Sequence, residues 1–98
     1  MEEILVDFTG VTSIYGLHEV LKKSLRFYDD YGMNLDALWD YMYDYCEDMH
    51  VTVIGLDTLP KDYYFQEEVA GILKIFKRAT EKMDSFAYTL VNGKQNGG

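Results

Sequence analysis

The sequence predicts an α/β layer fold, a small three-stranded and mainly parallel sheet packed with three to four helices. Two observations predict it. Short apolar, β-prone runs at residues 4–8, 51–56 and 86–91 are separated by longer segments whose apolar residues recur at spacings of three and four. The resulting order β, α, α, β, α, β joins successive strands through helices, as parallel pairing requires and a hairpin does not. Ninety-eight residues support one modest core, and 48% apolar residues beside 27% charged ones is the balance of a globular chain.

The first run, "ILVDF", is closed by Thr9-Gly10, and Ser13 then stands where a helix N-cap belongs. Ile14, Leu17, Val20, Leu21 and Leu25 form one helical stripe that stops at "RFYDDYG". Asn34 caps a second helix, whose stripe is Leu35, Leu38, Trp39, Met42 and Tyr45 and which fades before "EDMH". "VTVIGL" at 51–56 reads as a buried strand, followed by a connector with the single proline, Pro60. Val69, Ile72, Leu73, Phe76, Ala79 and Met83 mark a third long helix, and "FAYTLV" at 86–91 a last strand. Residues 1–92 read as one domain, and 93–98 end a glycine- and asparagine-rich stretch with the composition of a flexible tail.

Charge narrows the function classes. Nine basic against seventeen acidic residues give a net charge of −8, which repels a phosphate backbone, so direct nucleic-acid binding is not expected and a basic protein partner is. No run approaches a membrane span, and "MEEILVDFTG" lacks the basic start and long apolar stretch of a secretion signal. Cys46 is the single cysteine, so no internal disulfide can form. Together these read as a cytoplasmic protein.

Catalysis finds little support. The chain has no glycine-rich phosphate loop, no nucleophile elbow, no histidine pair at metal spacing and no Cys-x-x-Cys. "DDYGMNLD" lacks the alternating oxygen donors of a calcium loop, and neither a metal nor a cofactor is expected. His18 and His50 read as lone surface or boundary histidines without an obvious partner. Tyr15 and Tyr88 read as core or sheet residues.

The second helix says more. At about 100° per residue, Asp36, Asp40, Asp44 and Glu47 share one face, edged by Tyr43 and Trp39. Aspartates four apart repel one another, no lysine or arginine stands at i+4 to relieve them, and Asp44 and Glu47 crowd the end of the helix where cations are preferred. Local helix stability did not select this face. Acids among tyrosine and tryptophan suit an interface with a cationic partner.

The segment "YGMNLDALWD", with "GLHEVLKKSL" upstream of it, resembles the barstar family of intracellular ribonuclease inhibitors, whose hallmark is Tyr-Gly-x-Asn-Leu-Asp-Ala-Leu-Trp-Asp. The resemblance runs in element order over residues 3–91 and is specific over 17–40. It implies a three-stranded parallel sheet packed with helices, and a monomeric inhibitor, not an enzyme, of a basic, extracellular-type ribonuclease. On this pattern Tyr31, Gly32, Asn34 and Leu35 form the lead-in loop and helix start, and Trp39 and Tyr43 give neighbouring contacts. Asp36 and Asp40 then present carboxylates where the enzyme takes RNA phosphates. Two positions depart from the pattern: Asp30 stands where it has a second tyrosine, and Arg78 where it has a contacting glutamate. Arg78 would repel a basic rim or pair with an acidic one. The other reading is an acidic barstar-like module that binds a different basic protein.

Overall fold

The computed structural model describes residues 1–91. The chain runs β1 (Glu2–Asp7), α1 (Ile14–Ser24), α2 (Leu35–Tyr45), β2 (Met49–Ile54), a 3-10 turn (Leu56–Thr58), α3 (Tyr63–Lys82) and β3 (Phe86–Leu90). The three strands form one sheet in the order β1-β2-β3, parallel throughout, as expected. In a parallel sheet whose spatial order equals its chain order, crossovers of the usual right hand place the helices on one face.

Burial records that one-sidedness. Ile4 and Val6 of β1 and Met49, Val51 and Val53 of β2 point into the core, while Glu3, Leu5, Asp7, His50, Thr52 and Ile54 alternate with them. The run 51–56, expected to be buried on both faces, is therefore buried on one. It also starts two residues earlier. Asp48, at φ 58°, turns the chain out of α2, and Met49 is already paired with Glu2 and with Phe86. The strand stops at Ile54 because Gly55 adopts φ 85°, and a Cβ there would lie 2.4 Å from the backbone nitrogen of Thr9. β1 likewise begins at Glu2, before the apolar run, because strand pairing needs only backbone groups. It ends at Asp7, whose carboxylate accepts the Thr9 N–H at 2.9 Å.

The caps read from the sequence are in place. Gly16 N–H donates to Ser13 Oγ at 2.9 Å, and Ala37 N–H to Asn34 Oδ1 at 2.8 Å. α3 starts well before the first apolar residue of its stripe read from the sequence, because Asp62 caps it by accepting the Phe65 N–H at 3.1 Å. Phe65, Val69, Ile72, Phe76 and Ala79 then face the core. Two residues of the predicted stripes stand outside: Ile14 and Tyr45 are exposed, while Leu17, Leu21, Leu38 and Met42 are fully buried. Tyr15, read as core or sheet, is also exposed, because position 15 is on the far side of α1 from Leu17 and Leu21. Tyr88 lies in β3 with its ring 5.6 Å from that of Phe76. The tail beyond residue 92 lies outside the described residues.

Candidate functional site

The loop from Leu25 to Asn34 and the helix α2 that follows it carry the residues singled out by the sequence. α1 ends where Arg26 takes φ 60°, and the loop closes on α2 with Met33 at φ 56°. Both are left-handed conformations in non-glycine residues, costing on the order of 1 kcal/mol each, so the surrounding structure must hold them. Phe27 and Tyr31 are buried beneath the loop, and their rings stand 4.9 Å apart. Tyr41 of α2 completes the cluster at 5.0 Å from Phe27 and 5.3 Å from Tyr31, and its hydroxyl donates to Asp30. Asp30, one of the two departures from the family pattern, is thus engaged with this chain's own helix.

Tyr31, expected on the contact surface, is instead 4% exposed. Its hydroxyl lies 2.7 Å from His18 Nδ1, and His18 Nε2 lies 2.7 Å from Glu68 Oε2. In the neutral imidazole this fixes the tautomer: Nε2–H donates to the carboxylate, which can only accept, and Nδ1 accepts the Tyr31 O–H. Burial, and then the nearby Glu68 carboxylate, raise the Tyr31 phenol above its ordinary value. His18 is therefore not a lone surface or boundary histidine. It is fully buried and ties α1, the loop and α3 together. Its place beside Leu17 in the core stripe was the available signal, since a polar ring on that face must find partners. His50 also has partners, Glu3 Oε1 at 2.7 Å and Thr89 Oγ1 at 2.8 Å, in a line across the open face of the sheet.

From this anchor the chain emerges at Gly32 and Asn34, both exposed. Asn34 caps α2 through Oδ1 and donates through Nδ2 to the Gly32 carbonyl at 3.0 Å, so one side chain fixes the loop and starts the helix. Leu35 is half-buried and lies over Gly71 of α3, where a Cβ would come within 2.5 Å of Leu35 Cδ1. Asp36 and Asp40 are exposed, as is Asp44 one turn on, and among the described residues none of the three is in an ion pair. Trp39 is half-buried with its ring 5.7 Å from that of Tyr43, which is 56% exposed. The guanidinium carbon of Arg78 sits 4.2 Å from the Trp39 ring centroid. Asp36, Trp39, Asp40 and Tyr43 thus share one face of a helix anchored at its start. Such a face can present negative charge and aromatic area to a protein. Among the described residues no three His, Cys, Asp or Glu side chains converge as a metal would need, and no helix is long and apolar enough to cross a membrane.

The family model described as "Barstar (barnase inhibitor)" matches residues 1–92. The chain belongs to the barstar family. A relative from Bacillus subtilis (strain 168), named "Putative ribonuclease inhibitor YrdF", is 32% identical over 88 residues, covering 85% of this chain and 90% of that protein. A barstar-family chain is an inhibitor and not an enzyme, and its partner is a ribonuclease.

Proposed function

We propose that this chain inhibits a basic, extracellular-type ribonuclease by seating α2 and its lead-in loop in the cationic active site. The observation that carries the reading is the freedom of Asp36 and Asp40. They stand one turn apart on a capped helix, exposed, and among the described residues neither is in an ion pair with a cation of the neighbouring α3. A ribonuclease pocket built for phosphates meets here two carboxylates with no bond to cleave. Gly32, Asn34 and Leu35 set the shape of the loop against the enzyme, and Trp39 and Tyr43 supply aromatic contact at low entropic cost. The net charge of −8 speeds encounter with a basic enzyme, and burial of the two carboxylates against its cations slows escape. The protein acts as a cytoplasmic monomer. That placement rests on its lone, fully buried cysteine, which can form no internal disulfide.

The test is capture and inhibition. Wild type and the Asp36→Ala, Asp40→Ala double variant are used to capture partners from the source cell and its medium, and the recovered ribonuclease is assayed for RNA cleavage. Wild type is expected to capture and silence a basic ribonuclease, and the double variant to lose both activities. Equal recovery by the two proteins would remove α2 from the binding site. Capture, through the same carboxylates, of a basic protein without nuclease activity would favour an interaction module instead.

A further inference from the structure

The charge on α3 mirrors that on α2. Lys74, Arg78 and Lys82 stand four apart along α3, as Asp36, Asp40 and Asp44 do along α2, and four of the chain's nine basic residues fall between positions 74 and 82. Like charges at this spacing weaken a helix. The helix dipole accounts for Lys82, in the last turn, and for neither of the other two. The two helices pack side by side, with Leu35 against Gly71 and Trp39 against Arg78. Even so, among the described residues no cation of α3 comes within 4.0 Å of a carboxylate of α2. Two opposite ladders on adjacent helices thus leave each other unneutralised, with the Trp39 indole between them.

Arg78 is the best prepared of the three cations. Its guanidinium lies over the Trp39 ring, the residue is exposed, and among the described residues it is in no ion pair. A planar guanidinium so placed matches a carboxylate in a two-point hydrogen-bonded pair. Beside it, Lys74, Lys82, Leu35 and Ile75 line an open groove of about 800 Å³ over Gly71, in which the four cations of α3 outnumber the two acids, Glu67 and Glu81.

We infer that the partner of this inhibitor carries an acidic ridge next to its cationic site, and that the ridge docks on the Lys74–Arg78–Lys82 ladder with a carboxylate paired to Arg78. The inference rests on the inhibitor reading and names the surface chemistry that selects one basic ribonuclease among others. A phosphate would also suit a guanidinium, but a polyanion laid on this groove would run against the aspartates of α2 and a net charge of −8, whereas a protein ridge can carry both signs.

The probe is the purified ribonuclease that wild type captures and inhibits. A carbodiimide, which joins an amine directly to a carboxylate with loss of water, is expected to link the Lys74 or Lys82 amine to an aspartate or glutamate of the enzyme, read by peptide mass spectrometry. Arg78→Glu should raise Kd about tenfold or more, and Arg78→Lys less, because the charge survives and the planar fork does not. Changing the enzyme's linked carboxylate to lysine should restore tight binding to Arg78→Glu. An Arg78→Glu protein that binds as tightly as wild type, or more tightly, overturns the acidic ridge while leaving the inhibitor standing. So do links that run only from this chain's carboxylates to the enzyme's lysines, or a short single-stranded RNA that shifts with wild type and not with Arg78→Glu. If wild type inhibits no ribonuclease at all, both readings fall together.

Discussion

Replacing Tyr31 by phenylalanine isolates the buried link that holds the recognition loop. The ring keeps its packing against Phe27 and Tyr41, at 4.9 and 5.3 Å, so the cost is that of the hydroxyl alone. What is lost is the hydrogen bond at 2.7 Å to His18 Nδ1, an atom of a side chain with 0% exposure that no water can reach in its place. An orphaned buried polar atom costs about 1–3 kcal/mol, so about 2 kcal/mol is expected. With a urea slope of about 1–3 kcal/mol per molar for a chain of this size, the unfolding midpoint should fall by about 1 M. The fluorescence of Trp39, the single tryptophan, reports the transition, and Tyr43→Phe is the control because its hydroxyl is on an exposed ring. Amide exchange adds the location: Gly32 to Asp36 should open faster than the central strand β2. Removing both partners, in His18→Leu with Tyr31→Phe, should cost less than the sum of the single changes, since Glu68 is 21% exposed and can be hydrated. If Tyr31→Phe matches Tyr43→Phe within about 0.5 kcal/mol, the link does not anchor the loop.

Further outcomes are open to direct measurement. Gly55→Ala should destabilise by about 2 kcal/mol or more, because strain at φ 85° adds to a Cβ 2.4 Å from Thr9; Gly10→Ala, at φ 79° with open space around it, should lose only the smaller conformational part, about 1 kcal/mol, and equal losses in urea titrations would refute the steric argument. Burial pushes the Cys46 thiol up to about 12 from 9.0, with Arg26 opposing weakly, so the folded state holds a proton that the unfolded state has released across pH 9–12. Stability should therefore be intact below pH 9 and fall as pH rises through that window, a slope that Cys46→Ala should reduce, most clearly between pH 9 and 10 before the buried Tyr31 phenol adds its own loss, and the thiol should resist alkylation until the chain unfolds. In the ribonuclease complex Asp40→Ala should cost about 3–5 kcal/mol, because it leaves an enzyme cation buried without its partner, while Glu47→Ala at the rim should cost less than about 1 kcal/mol. Surface plasmon resonance showing equal losses would place the contact elsewhere. The association rate should fall between 0.01 and 0.1 M salt as the screening length drops from about 30 to about 10 Å, and a flat rate would refute steering by charge.

Much of this protein was legible in the sequence because the signals are local. Ser13 and Asn34 cap their helices within three residues of themselves, apolar stripes at three and four show which helix face is buried, and the aspartates at 36, 40 and 44 announce a face that helix stability did not choose. The parallel three-stranded sheet follows from helical connections between the strands. Tertiary structure decided whatever depends on partners distant in the chain. His18 meets Tyr31 across 13 residues and Glu68 across 50, and although its place in the α1 stripe turns it inward, no periodicity within α1 names these partners. Tyr31 turns inward for the same reason, because its hydroxyl can leave water only where a nitrogen waits to accept it. The start of β2 is set by backbone pairing with Glu2 and Phe86, which apolar content does not encode. The stacking of Arg78 on Trp39 needed α3 to be laid beside α2, with Gly71 small enough to admit Leu35. A chain writes its helix faces in the spacing of neighbouring residues, but which faces meet is a property of the packed whole, where each buried polar atom must find its partner.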